Sequence, residues 1–240
     1  MLEYILLGIV QGLTEWLPVS SSGHLVIFEQ LFNIKVDLFF NIALHFGTLL
    51  VLLLFFWKDI FRLSKKWIIY IGIGSIITGA IGFLFYDILK SMFSSLLAVS
   101  LGLIFTSLRL FSTKRYNGSS KLGIIDSIFI GVAQAIAIIP GVSRSGMTIS
   151  TGLFRNVKKE EVFKFSFLLS MPAIFGALLY EGSKVGFNFN VNYIIGFVAS
   201  IIIGYLSLNF LRDIVKKRKL HYFGYYCLIV GIAMLFVSII

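Results

Sequence analysis

The chain has 240 residues, of which 58% are hydrophobic and only 13% charged, and its mean hydropathy is +0.95. That balance excludes a water-soluble globular domain and points to an integral membrane protein. A formal charge of +10 would suit a nucleic-acid binder, but the basic residues fall in short clusters between long apolar runs, as in loops that set membrane topology, so no nucleic-acid partner is expected. The lone cysteine, Cys227, lies in an apolar run and allows neither an intrachain disulfide nor a Cys-based metal site.

The N-terminus opens Met1-Leu2-Glu3 without a basic region, and its apolar stretch runs into polar residues rather than a cleavage site, so it is read as mature structure. A bilayer core of about 30 Å needs about 20 apolar residues as helix. Residues 2 to 32 fail that test because Pro18 and the run Ser20-Ser21-Ser22-Gly23 cut them into two short pieces, predicting a re-entrant helix-turn-helix hairpin. Apolar stretches follow at 38 to 57, 67 to 86 and 93 to 111, and Gly118-Ser119-Ser120 form a short link. A second broken segment spans 123 to 155, cut by Pro140-Gly141 and the run Ser143 to Gly146; further apolar stretches lie at 162 to 181, 191 to 211 and 222 to 240. Irregular backbone at membrane depth is tolerated only where protein or a water-filled cavity satisfies it, so each break is expected to line a cavity.

The two broken segments repeat one another. At an offset of 123 residues Gly8, Gln11, Val19, Ser20, Ser22 and Gly23 recur as Gly131, Gln134, Val142, Ser143, Ser145 and Gly146, and Glu3 recurs as Asp126. Phe46-Gly47-Thr48-Leu49-Leu50 is weakly echoed by Phe175-Gly176-Ala177-Leu178-Leu179. If both hairpins return to the side they entered, one face receives 17 basic residues and the other only Lys35, Lys90 and Lys184, with Arg144 left inside the membrane. The positive-inside rule then places both termini outside. The expected fold is therefore an all-α, single membrane domain of two inverted repeats, approximately 1–116 and 121–240. Each repeat holds one re-entrant hairpin and three of six transmembrane helices, with the first hairpin entering from outside and the second from the cytoplasm.

The mismatched positions carry the chemistry. Glu15 and His24 in the first copy correspond to Ile138 and Met147 in the second, while Arg144 stands opposite Ser21. Ionisable groups at membrane depth are costly and normally line a cavity or form a pair. Gln11 and Glu15, four apart, share a helix face. The second helix of each hairpin is expected to start near Ser22-Gly23 and Ser145-Gly146, presenting free N–H groups and a positive dipole end to an anion. Arg144 adds a fork suited to phosphate oxygens. Other readings stay open. The Ser/Gly clusters could serve close helix packing, and Glu15 with Arg144 could be a purely structural ion pair. His45, in an apolar span, reads as a packing histidine, and His221 as a solvated one. Glu160 and Glu161 look like an N-terminal dipole complement, and Trp16 is a candidate cavity wall.

The stretches Gln11-Gly-Leu-Thr-Glu15-Trp-Leu-Pro18-Val-Ser-Ser-Ser-Gly23-His24 and Pro140-Gly-Val-Ser-Arg144-Ser-Gly-Met-Thr148 resemble the two signature motifs of the undecaprenyl-diphosphate phosphatase, or bacitracin-resistance, family. Leu44 to Thr48, Phe56 to Asp59 and Phe165 to Ala173 also resemble it, so the likeness covers most of the chain. The resemblance implies a plasma-membrane enzyme that hydrolyses undecaprenyl diphosphate to undecaprenyl phosphate and inorganic phosphate, recycling the lipid carrier of cell-wall synthesis. It ties activity to Gln11, Glu15, Ser21, His24 and Arg144. Many family members carry Glu where this chain has Gln11, which puts a two-carboxylate mechanism in doubt here.

On this reading Arg144, with Ser143, Ser145, Gly146 and Thr148, grips the phosphates, and Ser20, Ser22 and Gly23 complete the phosphate site. Ser21 or a water attacks. His24 shuttles the proton or itself attacks, and Glu15 activates the nucleophile or binds a divalent cation such as Mg²⁺ or Ca²⁺. No organic cofactor is expected. The expected partners are a polyprenyl diphosphate and the bilayer, with a homodimer left open, and the site opens to the outer face. Two other readings share features of the sequence. A lipid-phosphate flippase would also use inverted repeats with broken helices. An acid-phosphatase-like lipid phosphatase would need a histidine soon after Ser143-Arg144, and none follows before His221.

Overall fold

In a computed structural model the residues described are 1–34, 36–116, 118–184 and 190–239, the side chain of Leu38 excepted. Lys35, used above in the charge count, and Ile240, the end of the last apolar stretch, lie outside them. Twelve α-helices make up the described residues. The first segment folds as α1 (Leu2–Trp16) and α2 (Ser21–Leu31). The break has a local cause: a residue before proline is pushed out of the helical region, and Leu17 is extended with φ −63 and ψ 146. The second segment folds as α8 (Ile124–Ile136) and α9 (Arg144–Phe154). Its turn holds Gly141 at φ +85, where an added Cβ would lie 2.1 Å from the Val99 carbonyl oxygen, so only glycine fits. At 15 and 11 residues, 13 and 11 residues, each of these helices is shorter than the roughly 20-residue crossing length.

Between the broken pairs run α3 (Leu38–Phe55), the short α4 (Trp57–Ile60), α5 (Lys65–Leu84), the short α6 (Tyr86–Met92) and α7 (Leu96–Ser112). After them come α10 (Lys159–Gly182), α11 (Val191–Lys216) and α12 (His221–Ile239). Five helices are long and apolar enough to cross a membrane: α5, α7 with its 3-10 extension to Arg115, α10, α11 and α12. The sixth stretch expected from the sequence, α3, is one of the shorter apolar helices, because Asp37 caps its start by accepting the Phe40 N–H and the chain breaks again at Phe56 before α4. Only 11% of the apolar window of α5 and 17% of that of α12 is buried, so these helices turn most of their surface outward, as a lipid-facing element must.

Small residues set the closest helix contacts. α1 lies on α11, where a Cβ on Gly8 would come 2.3 Å from the Gly196 carbonyl oxygen, and α8 lies on α5, where a Cβ on Gly131 would come 2.7 Å from Gly74 Cα. Backbones approach this closely only where side chains are absent. Each crossing is tied by a hydroxyl: Ser207 Oγ donates to the Gly12 carbonyl at 2.7 Å and Thr78 Oγ1 to the Gly131 carbonyl at 3.2 Å. The broken pairs thus lean on long helices from the other half of the chain. The buried core between them includes Trp16, Leu103, Ile130, Phe165, Phe167 and Leu208.

Candidate active site

The tips of the two broken segments face each other. A Cβ on Gly23 would meet Gly141 Cα at 3.0 Å, and one on Gly146 would approach Pro18 Cβ at 3.4 Å; the two pairs exchange under the 123-residue offset. Both second helices begin with the same cap. Ser20 Oγ accepts the Gly23 N–H at 3.3 Å, and Ser143 Oγ accepts the Gly146 N–H at 3.1 Å. A serine oxygen at this position satisfies one of the unpaired N–H groups of a helix start. The helices begin at Ser21 and Arg144, a residue or so before the expected starts. The caps differ in one respect: Ser20 has φ +69 whereas Ser143 has φ −74. A non-glycine residue in the left-handed region stores strain of order 1–3 kcal/mol, and here it lies directly before Ser21.

Glu15, on the last turn of α1, is the hub. Its Oε1 accepts from Arg144 Nη2 at 2.5 Å, and its Oε2 accepts from Ser21 Oγ at 2.5 Å and from Gln11 Nε2 at 3.0 Å. The carboxylate is buried, and Arg144 is largely so. The guanidinium lies 5.4 Å over the Trp16 ring, an arrangement that holds a planar cation in place. Its Nη1 is buried without a hydrogen-bond partner. An unpaired donor of this kind is costly in an apolar interior. It is a second guanidinium nitrogen beside the Nη2 that bonds Glu15.

His45 and Thr48 of α3 complete the hub. Gln11 Nε2 lies 2.9 Å from His45 Nδ1 and 3.5 Å from Thr48 Oγ1, and His45 Nδ1 is 3.5 Å from Glu15 Oε2. The His45 side chain, read from its apolar neighbours as a packing histidine, is 31% exposed and has its hydrogen-bond partner in Gln11. An imidazole 34 residues from its partner leaves no periodic mark in the sequence.

His24 stands apart from this cluster. Its Nδ1 is 2.8 Å from the Ser20 carbonyl oxygen and its Nε2 is 2.7 Å from the Tyr226 hydroxyl, so neither nitrogen bonds Ser21 or Glu15. Thr148, expected among the phosphate ligands, turns instead toward α10: its Oγ1 donates to the Arg144 carbonyl at 2.8 Å and lies 2.5 Å from Ser166 Oγ. Ser20 and Ser22 hydroxyls lie 3.3 Å apart, Ser143 and Ser145 hydroxyls 3.4 Å apart. A cavity of about 450 Å³ elsewhere, lined by Phe56, Asp59, Lys164 and Arg212 among others, contains none of the candidate site residues.

The donor set bears on the expected divalent cation. Among the described residues no group of three or more His, Cys, Asp or Glu is arranged to hold a metal. Gln11 Oε1, however, is buried without a partner beside the Glu15 carboxylate, giving two hard oxygens. Mg²⁺ commonly takes one or two protein oxygens and the rest from substrate phosphates and water, a requirement these two residues can meet.

Two opposed, serine-capped helix starts bring the Ser21 hydroxyl and the Arg144 guanidinium to the Glu15 carboxylate at the end of α1, within a helical membrane protein. The sequence model of the family described as Bacitracin resistance protein BacA matches residues 4–233, and the chain belongs to that family. It is 41% identical to an undecaprenyl-diphosphatase of Carboxydothermus hydrogenoformans over 97% of this chain and 95% of the relative. It is 40% identical to one of Halothermothrix orenii over 98% and 97%, and 38% identical to one of Korarchaeum cryptofilum over 97% of both chains.

Proposed function

We propose that the protein is a membrane phosphatase that hydrolyses undecaprenyl diphosphate to undecaprenyl phosphate and inorganic phosphate, recycling the lipid carrier of cell-wall synthesis and giving bacitracin resistance. The relatives named above are undecaprenyl-diphosphatases, and the geometry that carries the reading is the shared carboxylate of Glu15, bonded at once to Ser21 and to Arg144. Ser21 Oγ attacks the terminal phosphorus as its proton passes to Glu15 Oε2. The bond from that phosphorus to the bridging oxygen breaks, and undecaprenyl phosphate leaves with the electron pair. Water then attacks the phosphoserine, a proton returns to Ser21 Oγ, and inorganic phosphate departs. A water in place of Ser21 would use the same base.

Arg144 supplies charge to the transferred group and the leaving phosphate, contributing where negative charge builds up. The free N–H groups of α2 and α9 do the same with no side-chain reorganisation. His24 is the proton shuttle that takes the proton of the hydrolytic water. A Mg²⁺ or Ca²⁺ ion entering with the diphosphate would be held by Glu15 and Gln11 and would neutralise phosphate charge.

The architecture belongs to the same reading. Repeats 1–116 and 121–240 form one domain with two re-entrant hairpins, α1–α2 from outside and α8–α9 from the cytoplasm, and six spans including α3. Both termini and the mouth of the site face outward. The exchange of the pairs Gly23 with Gly141 and Gly146 with Pro18 supports the pseudo-two-fold relation.

The test is phosphate release from undecaprenyl diphosphate by purified Glu15→Gln, Ser21→Ala, His24→Ala and Arg144→Ala variants. Arg144→Ala is expected to lose about 10²–10³-fold in kcat, the typical cost of removing one charge-stabilising donor. Near-normal turnover in that variant would sink the phosphate-clamp mechanism.

A further inference from the structure

His24 is joined to a residue 202 positions away. Its Nε2 lies 2.7 Å from the Tyr226 hydroxyl on α12, with the two rings 10° from parallel. Its Nδ1 lies 2.8 Å from the Ser20 carbonyl oxygen. A carbonyl oxygen only accepts, so Nδ1 must carry a proton. In a neutral imidazole the other nitrogen is then an acceptor, and the tyrosine hydroxyl must be its donor. These two contacts leave the neutral ring one tautomer.

The placement of Tyr226 is itself fixed. α12 is clamped to α7 at Gly224 and Gly231, where added Cβ atoms would come 2.8 Å from Phe111 Cε1 and 2.9 Å from Ile104 Cγ1. The neighbouring Cys227 is fully buried and donates from Sγ to the Pro18 carbonyl at 3.5 Å, tying the same turn of α12 to the break of the first segment. Ring and hydroxyl therefore arrive at His24 from a helix with little room to slide.

We propose that Tyr226 is a positioning residue for His24: its hydroxyl holds the imidazole in the Nδ1–H tautomer and aims the Nε2 lone pair, which is the atom that takes up a proton during turnover. This rests on the proposed hydrolysis, in which His24 moves the proton of the attacking water. The proton leaves water for Nε2 as the Tyr226 hydrogen bond is given up and goes on to the departing phosphate, while Glu15 Oε2 returns to Ser21 Oγ the proton it took in the first step as the phosphoserine bond breaks. No oxidant or further reactant is involved. Carboxylate–histidine pairs orient the ring through the N–H of the nitrogen that does not react, a place the Ser20 carbonyl takes here. The neutral phenol holds Nε2 itself without adding a second buried charge near Glu15.

The full-length protein, labelled with ¹⁵N-histidine and purified in detergent, provides the test. It contains three histidines, and the His24 signals are assigned by their loss in His24→Asn. The wild type is expected to show His24 as a neutral Nδ1–H ring with a hydrogen-bonded Nε2. Tyr226→Phe keeps the ring and removes only the hydroxyl. Its Nε2 resonance is expected to move to that of an unbonded acceptor, with kcat down about tenfold, a fraction of what acid–base groups contribute, and KM within about twofold. Cys227→Ala, on the same turn, is expected to leave the Nε2 resonance in place. An unchanged Nε2 resonance in Tyr226→Phe, or a shifted one with undiminished kcat, overturns the proposal. Full turnover in His24→Ala would instead overturn the proton-shuttle reading beneath it, and the ¹⁵N shift would still decide the hydrogen bond.

Discussion

At the scale of single residues, the Glu15–Arg144 pair does two jobs that pull in different directions. A buried ion pair adds little net stability over an apolar pair, but removing one partner strands the other charge at a cost of about 3–5 kcal/mol. Glu15 Oε1 and Arg144 Nη2 are 2.5 Å apart with both side chains mostly out of solvent. Glu15→Gln and Arg144→Gln should therefore each lower the thermal midpoint in detergent, whereas the double variant should melt above the sum of the two losses. Strict additivity would show that the pair is not coupled. On the proposed mechanism the same pair prepares the site: an anion reaching Arg144 Nη1 would find a guanidinium already oriented by Glu15 and Trp16. Arginine suits this because its fork can hold carboxylate and phosphate at different nitrogens.

At the scale of elements, the breaks and crossings were legible because their causes are local. Pro18 ends α1 by sterics that act on the preceding Leu17, and Ser20 and Ser143 cap the next helix three residues before a glycine. The recurrence of Gly8 as Gly131 marks two crossings that the structure places on α11 and α5. Gly8→Ala and Gly131→Ala should each destabilise the fold by about 1–3 kcal/mol, the range for forcing atoms into a filled contact, seen as a lower melting temperature. Gly72→Ala, where an added Cβ meets nothing within 4 Å, should leave it unchanged; equal shifts in all three would contradict the crossing geometry. What the sequence hid depends on tertiary placement. His45 reaches Gln11 from α3 and Tyr226 reaches His24 from α12, and no periodicity encodes either meeting. Thr148 looked like a phosphate ligand because it lies in the second motif, but a hydroxyl four residues into a helix can turn back to the i−4 carbonyl, and this one does.

At the scale of the whole molecule, the side chains gather into two ends of opposite character. At one, Lys164 Nζ meets Asp59 at 2.6 Å, Lys159 Nζ meets the Lys216 carbonyl at 2.9 Å, and the Ser119 and Ser120 N–H groups bond the Asn156 carbonyl, both at 2.8 Å. At the other, Lys184 lies 3.8 Å over Tyr180 and 4.1 Å over Tyr86, whose hydroxyl donates to Glu181 at 2.7 Å, and Lys90 lies over the same Tyr86 ring. Contacts thus join the ends of α6 and α10 in the sparsely charged group, and the starts of α10 and the end of α11 in the basic one. Basic loops stay on the cytoplasmic side because translocating them across the membrane is unfavourable, and the proposed outward-facing site rests on that rule. In a Cys227→Ser background, single cysteines at Lys90 and Lys184 should react with a membrane-impermeant thiol reagent in intact cells. Cysteines at Lys114 and Arg218 should react only after the membrane is opened. Labelling of all four from outside, or the reverse pattern, would overturn the orientation. A reversed pattern would also place the mouth of the site in the cytoplasm, where a diphosphate left on the outer leaflet could not reach Arg144.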